Sequence, residues 1–305
     1  GRTVGLKAEA RRLGFDLVGV TTSDAPPHLE VFERWLSAGR HGTMEYLATG
    51  RARLRRADPR TILPECQTII VVGMIYNPGE GRDEAAARIA AYARGDDYHD
   101  LIGRRLEALG RFLQADMGEP VPFRAYTDTG PILEREMAQR AGLGWIGKNT
   151  CILNQRVGSW LFLGVILTSL ELEPSLPAPD RCGKCTRCID ACPTHALIAP
   201  YQLDSNRCIS YLTIEKRGII PKEMREGMGG HVFGCDICQD VCPWNRKAPV
   251  TRERELHPER PYPGAEAIST MTDEAARESF RGTALLRAKP AGLRRNAMIF
   301  LENEA

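Results

Sequence analysis

The sequence predicts an α+β fold in three parts: a mixed layer of helices and strands over residues 1–175, a cysteine-rich module over 176–248 and a short helical segment over 249–305. Three observations carry that division. Strand-like apolar runs alternate with amphipathic stretches up to about residue 170, as in a sandwich of sheet and helices. Pro174, Pro177 and Pro179 then interrupt the pattern, as a linker does. Eight of the ten cysteines crowd between Cys182 and Cys242, leaving only Cys66 and Cys151 outside.

Residues 2–13 read as an amphipathic helix and Phe15–Thr21 as the strand after it. Helical patterns cover 27–38 and 43–49. Gln67–Ile75 is rich in β-branched residues and reads as a buried strand. A long amphipathic helix is expected over 97–117, a strand over Val121–Thr127, and a helix over Pro131–Ala141 with proline at its start. Trp160–Ser169 reads as another buried strand. Past Pro249 the chain is polar until helical stretches at 273–288 and 290–303.

Apolar residues make up 43% of the 305 and charged residues 26%, the profile of a soluble globular protein. No apolar run approaches the roughly 20 residues of a membrane span. No secretory pattern opens the sequence, so a cytoplasmic location is expected. The formal net charge of +2 announces no polyanion partner. Local groups do exist: Arg51, Arg53, Arg55, Arg56 and Arg60 form one, and Arg281, Arg287, Lys289, Arg294 and Arg295 another, while Lys184 and Arg187 lie inside the cysteine module. Each reads equally as a solvated face or a phosphate-binding patch.

The cysteine spacing is the most specific signal. Cys182, Cys185, Cys188 and Cys192-Pro193 follow the bacterial ferredoxin pattern, in which three close thiolates hold one four-iron cubane and the fourth reaches the other. Cys235, Cys238 and Cys242-Pro243 repeat the second half of that pattern and lack one close cysteine, for which Cys208 is available. The first 4Fe-4S cluster then takes Cys182, Cys185, Cys188 and Cys242, and the second takes Cys208, Cys235, Cys238 and Cys192. Zinc sites and disulfides are the competing explanations. Zinc sites do not use the Cys-Pro ending, and disulfide frameworks suit small secreted domains. Cys66 and Cys151 read as buried free thiols.

Several stretches match one family in order and separation: the arginine run from Arg51 to Arg60, Tyr92 to His99, Asp128-Thr-Gly-Pro-Ile-Leu-Glu-Arg135, Arg140 to Asn149, the motif from Cys182, and His231 to Pro243. Together they closely resemble epoxyqueuosine reductase. The resemblance runs from about residue 5 to the end. It implies a nitroreductase-like, cobalamin-binding first domain against a ferredoxin-like module. The implied reaction is reduction of epoxyqueuosine to queuosine in the tRNA anticodon loop, the last step of queuosine biosynthesis. The epoxide oxygen leaves as water, with two electrons and two protons. Two 4Fe-4S clusters would feed a cobalt(I) cobalamin, itself reduced by an external low-potential donor of flavodoxin or ferredoxin type. The protein is expected to be a monomer without membrane contact. Longer family members continue into a helical-repeat domain, so residues 249–305 read as a short helical segment or as a truncated part of that region.

The resemblance also places roles. Asp128 matches the proton donor and is expected to be held protonated by burial. On its residues alone, Asp128 reads as a cap of the helix at Pro131. Cobalamin contacts fall on Arg51, Asp128, Ile152, Leu163, Cys235 and Asp236, although Ile152 and Leu163 read equally as core. The Asp97-x-His99 pair is similar to the signature that puts histidine on cobalt, but Gly103 comes one residue late, so His99 reads as structural or pocket-lining. The open stretch 209–234 ends where the corrinoid is implied, so the second cluster is expected nearer the cobalt. The rival functions are a reductive dehalogenase-like cobalamin enzyme acting on a small molecule, and a ferredoxin-type electron carrier without catalysis.

Overall fold

The computed structural model describes residues 2–79, 88–117, 121–257 and 261–304. Four strands form the central sheet: β1 Leu17–Thr22, β2 Thr68–Ile75, β3 Phe123–Tyr126 and β4 Leu161–Thr168. Their order across the sheet is β1-β2-β4-β3, antiparallel at every pair. The register runs Leu17↔Gly73 to Thr22↔Thr68, then Thr68↔Thr168 to Ile75↔Leu161. Strand β2 is central and buried throughout, because its Ile and Val side chains face apolar layers on both sides.

Two cores lie on the two sides of this sheet. The larger joins α1 (Arg2–Arg12), α2 (Tyr98–Met117) and α4 (Lys289–Glu304) through Leu6, Leu106, Leu109, Leu293 and Phe300. The smaller packs α3 (Glu134–Arg140) on Ile69, Val71, Val165 and Leu167. The tail therefore shares the main core with the first helix.

Local differences from the sequence reading have identifiable causes. Residues 50–57, read as a basic run, form a helix that Thr49 caps by accepting from the Ala52 amide at 3.2 Å. The stretch 273–288 is interrupted: a helix ends at Ser279, and a short 3-10 turn covers Ala284–Ala288. Gly282 between them adopts φ +73°, a left-handed conformation that glycine takes without strain. Helix α3 begins at Glu134 rather than Pro131, with Leu133 at its N-cap and no capping side chain.

The cysteine module is tied down by backbone and polar contacts. His231–Phe233 pairs in parallel with Arg88–Ile89. Ser159 and Asn245 bond twice, through the Ser159 amide at 2.7 Å and the Asn245 amide group at 2.8 Å, and Ser159 Oγ donates to Gln239 at 2.9 Å. A hairpin of two short strands, Trp145–Ile146 and Ile152–Leu153, lies across the module's face. Among the described residues no helix is long and apolar enough to cross a membrane.

Candidate functional site

Asp128 stands just past the tip of β3. Thr127 is buried and donates its hydroxyl to the Leu163 carbonyl at 2.8 Å, which pins the strand end. Asp128 itself has φ +57°, a conformation costly for most side chains and tolerated best by Asn and Asp. Its amide donates to Glu134 Oε1 at 2.8 Å. With α3 starting at Glu134 and uncapped, Asp128 is not the helix cap that its position suggests.

Helix α2 delivers the partners. Asp97 accepts from the His99 amide at 3.0 Å and meets His99 Nδ1 at 2.7 Å, fixing the ring. His99 Nε2 lies 3.3 Å from Asp128 Oδ2, and the Tyr98 hydroxyl donates to the same oxygen at 3.0 Å. Tyr98 stacks between His99, at 4.0 Å, and Phe162, at 4.1 Å. The Asp128 side chain is still 66% accessible, although Tyr46, Tyr92, Tyr98, His99, Glu134 and Arg135 all lie close enough to act on it or be acted on by it. An accessible side chain surrounded on several sides lies in a recess.

The electrostatics correct one expectation. Asp128 is not raised. Desolvation pushes its carboxyl up, but the hydrogen bond and charge of His99, then Tyr98 and Arg135, bring it below the ordinary value. The protons sit on its neighbours. Desolvation lowers His99, yet Asp128 and Asp97 together raise it to about 9. Burial, reinforced by the Asp128 charge, raises Glu134 to about 8. Sequence reasoning missed Glu134 and placed His99 only loosely, because the 29-residue separation of His99 and Asp128 leaves no local signal.

The eight cysteines sort into two groups of four. Burial pushes the Cys188 thiol up to about 11, with Cys242 and Cys182 adding to it, and Cys242 in turn responds to Cys182 and Cys185. Burial raises Cys235 to about 12, with Cys208 and Cys192 next to it, and Cys238 faces Cys235 and Cys208. Packed thiols that resist ionisation together suit a cationic group that takes them as thiolates. No three His, Cys, Asp or Glu side chains among the described residues are placed to hold a single metal ion. Two sets of four cysteines suit two four-iron cubanes, each held by four thiolates.

The 145–153 hairpin reaches both groups. Trp145 packs with Cys242 and Cys182, and Lys148 Nζ donates to the carbonyls of Gly183 at 2.7 Å and Cys185 at 3.0 Å. At the other end the Asn149 side chain donates to the Cys238 carbonyl at 3.4 Å, and the Cys151 thiol lies against Cys238. Cys151 is thus beside the second group, whereas Cys66 is an apolar-core thiol raised to about 11 by burial.

Of the implied corrinoid contacts, Asp236 is buried and accepts from the Ala91 amide at 2.7 Å. The Tyr92 ring meets Tyr98, which bonds Asp128, at 6.0 Å and Phe233, two residues before Cys235, at 6.1 Å. Ile152 is buried in the smaller core and Leu163 packs against that core. Arg51 is exposed on the Gly50–Ala57 helix, while Arg56 is buried, with its charge facing Tyr46 and Glu134. The tail's basic group is largely structural. Arg295 donates to the carbonyls of Leu212, Lys216 and Gly218, and burial lowers it to about 10. Arg287 pairs with Glu215 at 2.7 Å and Arg294 with Asp273 at 2.7 Å.

Known proteins resemble this chain in sequence and fold. A family profile described as epoxyqueuosine reductase QueG, DUF1730, matches residues 56–129, and one described as a 4Fe-4S double cluster binding domain matches residues 181–245. The epoxyqueuosine reductase of Vibrio cholerae is 40% identical over 98% of this chain and 82% of its own length. That of Pseudomonas aeruginosa is 42% identical over 98% and 84%. The solved epoxyqueuosine reductase of Bacillus subtilis, described with its catalytic loop swung out of the active site, superposes with a TM-score of 0.86 at 30% identity, covering 99% of this chain and 81% of its own. An epoxyqueuosine reductase crystallised with an epoxyqueuosine-modified tRNA-Tyr stem loop gives 0.85 at 30%, with the same coverage. With relatives 40% and 42% identical along nearly its whole length, this chain belongs to the epoxyqueuosine reductase family.

Proposed function

We propose that the chain reduces epoxyqueuosine to queuosine in the anticodon loop of tRNA, with electrons passing through two 4Fe-4S clusters to a cobalamin. The observation that carries this reading is the acid–imidazole pair of Asp128 and His99, linked through the Tyr98 and Tyr92 rings to Phe233 beside Cys235. The cluster ligands are Cys182, Cys185, Cys188 and Cys242 for the first, and Cys192, Cys208, Cys235 and Cys238 for the second. Arg51, Asp128, Ile152, Leu163, Cys235 and Asp236 line the corrinoid. Ile152 and Leu163 act through backbone and packing. Cobalamin, when bound, supplies a two-electron reducing centre that no side chain offers.

The chain's own residues manage protons. The reaction consumes two, and two groups hold one each near neutral pH: His99 and Glu134. Asp128 lies between them. Its Oδ2 takes a proton from His99 Nε2 and passes it to the departing epoxide oxygen. Glu134, within hydrogen-bond reach of the Asp128 backbone, carries the second. Asp97, against Nδ1, stabilises the charged imidazolium, and Nε2 regains its proton from solvent.

Residues 1–175 would bind the corrinoid, 176–248 conduct electrons, and 249–305 brace both. Arg51 and Arg55 on the helix 50–57, whose side chains make no hydrogen bond or ion pair among the described residues, suit anticodon-loop phosphates. Arg181, Lys184 and Arg187 are exposed beside the first cysteine group, where an acidic flavodoxin- or ferredoxin-type donor would dock. The working state is a cytoplasmic monomer. The test is anaerobic reconstitution with iron, sulfide and cobalamin, followed by assay on epoxyqueuosine-containing tRNA. Conversion to queuosine is expected. Failure to bind cobalamin overturns the reading, and turnover of a halogenated small molecule in place of the tRNA supports the dehalogenase-like rival.

A further inference from the structure

We propose that the Trp145 indole N–H donates a hydrogen bond to a sulfur of the first iron–sulfur cluster and raises that cluster's reduction potential. The inference rests on the reading of Cys182, Cys185, Cys188 and Cys242 as its ligands. Trp145 is 2% exposed, and its Nε1 is a buried donor with no hydrogen-bond partner among the described residues. Indole nitrogen only donates, so this group needs an acceptor. Trp35, by contrast, donates its Nε1 to the Leu203 carbonyl at 2.7 Å.

The surroundings restrict what that acceptor is. Trp145 forms one buried cluster with Leu153 and Cys242, against which Cys182 and Trp244 pack, the Trp244 ring edge-on at 5.1 Å and 78°. Within that group the sulfurs belong to two ligands of one cluster. The ring is not free to turn to solvent. Its backbone pairs with Leu153, and the next amide, of Ile146, donates to Gln139 Oε1 at 2.7 Å. Lys148, three residues on, is bonded to the carbonyls of Gly183 and Cys185 inside the cysteine motif. A rigid hairpin thus presents an unsatisfied donor to the thiolate and sulfide surface of the first cluster.

Hydrogen bonds to cluster sulfurs favour the reduced, more negative state and are one of the main controls on potential. A donor at the first cluster makes that cluster easier to reduce from outside than it would be without the bond. It serves as the port that takes the electron from the external donor, leaving the second cluster to deliver it.

The experiment is an EPR-monitored redox titration of the anaerobically reconstituted full chain and its Trp145→Phe variant, which keeps an aromatic ring and removes the N–H. Iron and sulfide content is measured first. Two four-iron clusters in both proteins establish the ligand reading independently of the potential. One midpoint is then expected to move to more negative potential in the variant while the other stays. Two unmoved midpoints in fully loaded protein overturn the proposal, as does an equal shift of both. Where the variant does not load, the wild-type protein labelled with indole 15N gives the answer by pulsed EPR. A nitrogen coupling to the reduced cluster that persists in Trp244→Phe supports Trp145, and its absence from the wild type rules the bond out.

Discussion

The two cysteine groups are built from similar motifs and sit in different surroundings. The first takes three of its four thiols from one tight loop whose flanking Arg181, Lys184 and Arg187 are exposed. The second gathers thiols from three separated segments and is enclosed by Asn149, Cys151 and the approach to Tyr92 and Asp128. In the proposed function one group meets a donor in solution and the other feeds the chemistry. Ligand spacing alone makes them near-equivalent, and their neighbours make them different.

That difference is open to attack in several ways. The largest effect is expected from Cys208→Ala or Cys238→Ala. Each should remove about half the iron, as loss of one of two equal clusters requires, and abolish turnover, measured as iron content and queuosine formed. Full activity in either variant would break the assignment of the second group to the catalytic side. Next comes Asp128→Asn, which keeps the side chain's size and removes its ability to carry a proton. A loss of about 10²–10⁴-fold in turnover is expected with both clusters intact. An unaffected rate would take the acid out of the mechanism.

His99→Gln tests the proton store through pH. His99 is held charged up to about 9, against an ordinary value of 6.5. Its contribution to stability is therefore complete below pH 6.5 and vanishes as pH rises through about 9. Glu134, titrating near 8, acts with the same sign, and Asp97, Asp128, Tyr98 and Arg135 are the other charged or titratable groups facing the pair. The wild-type Tm should fall across that window. The variant should start lower and fall less, and its rate should lose the limb that declines near pH 9. The smallest effect is expected at the port. Lys184→Glu with Arg187→Glu should slow reduction by a flavodoxin-type donor several-fold at low salt, with the defect fading as salt rises. Reduction by dithionite should not change.

The cysteine groups were legible in the sequence because metal ligation fixes both residue type and spacing. The sheet was legible because β2 and β4 are long, apolar and β-branched. The acid site was half legible. Asp128 was marked by its motif, but its charge state depends on His99 and Glu134, which approach it only after α2 and α3 pack. The 145–153 hairpin gave little signal, since strands of two residues show no periodicity. The helix over 50–57 was hidden by its arginines. Thr49 as N-cap and the burial of Arg56 against Phe32, at 5.8 Å, reveal an amphipathic element where the charge suggested only a patch.

Asn296, in the last helix, is fully buried and donates to the carbonyls of Thr213 at 2.8 Å and Val232 at 2.8 Å. Those carbonyls bracket the segment between Cys208 and Cys235. A helix some sixty positions beyond Cys235 therefore helps hold the segment between the two cysteines. Asn296→Leu is expected to loosen that segment and weaken the second cluster before the first, read as the loss of about half the iron under mild chelation.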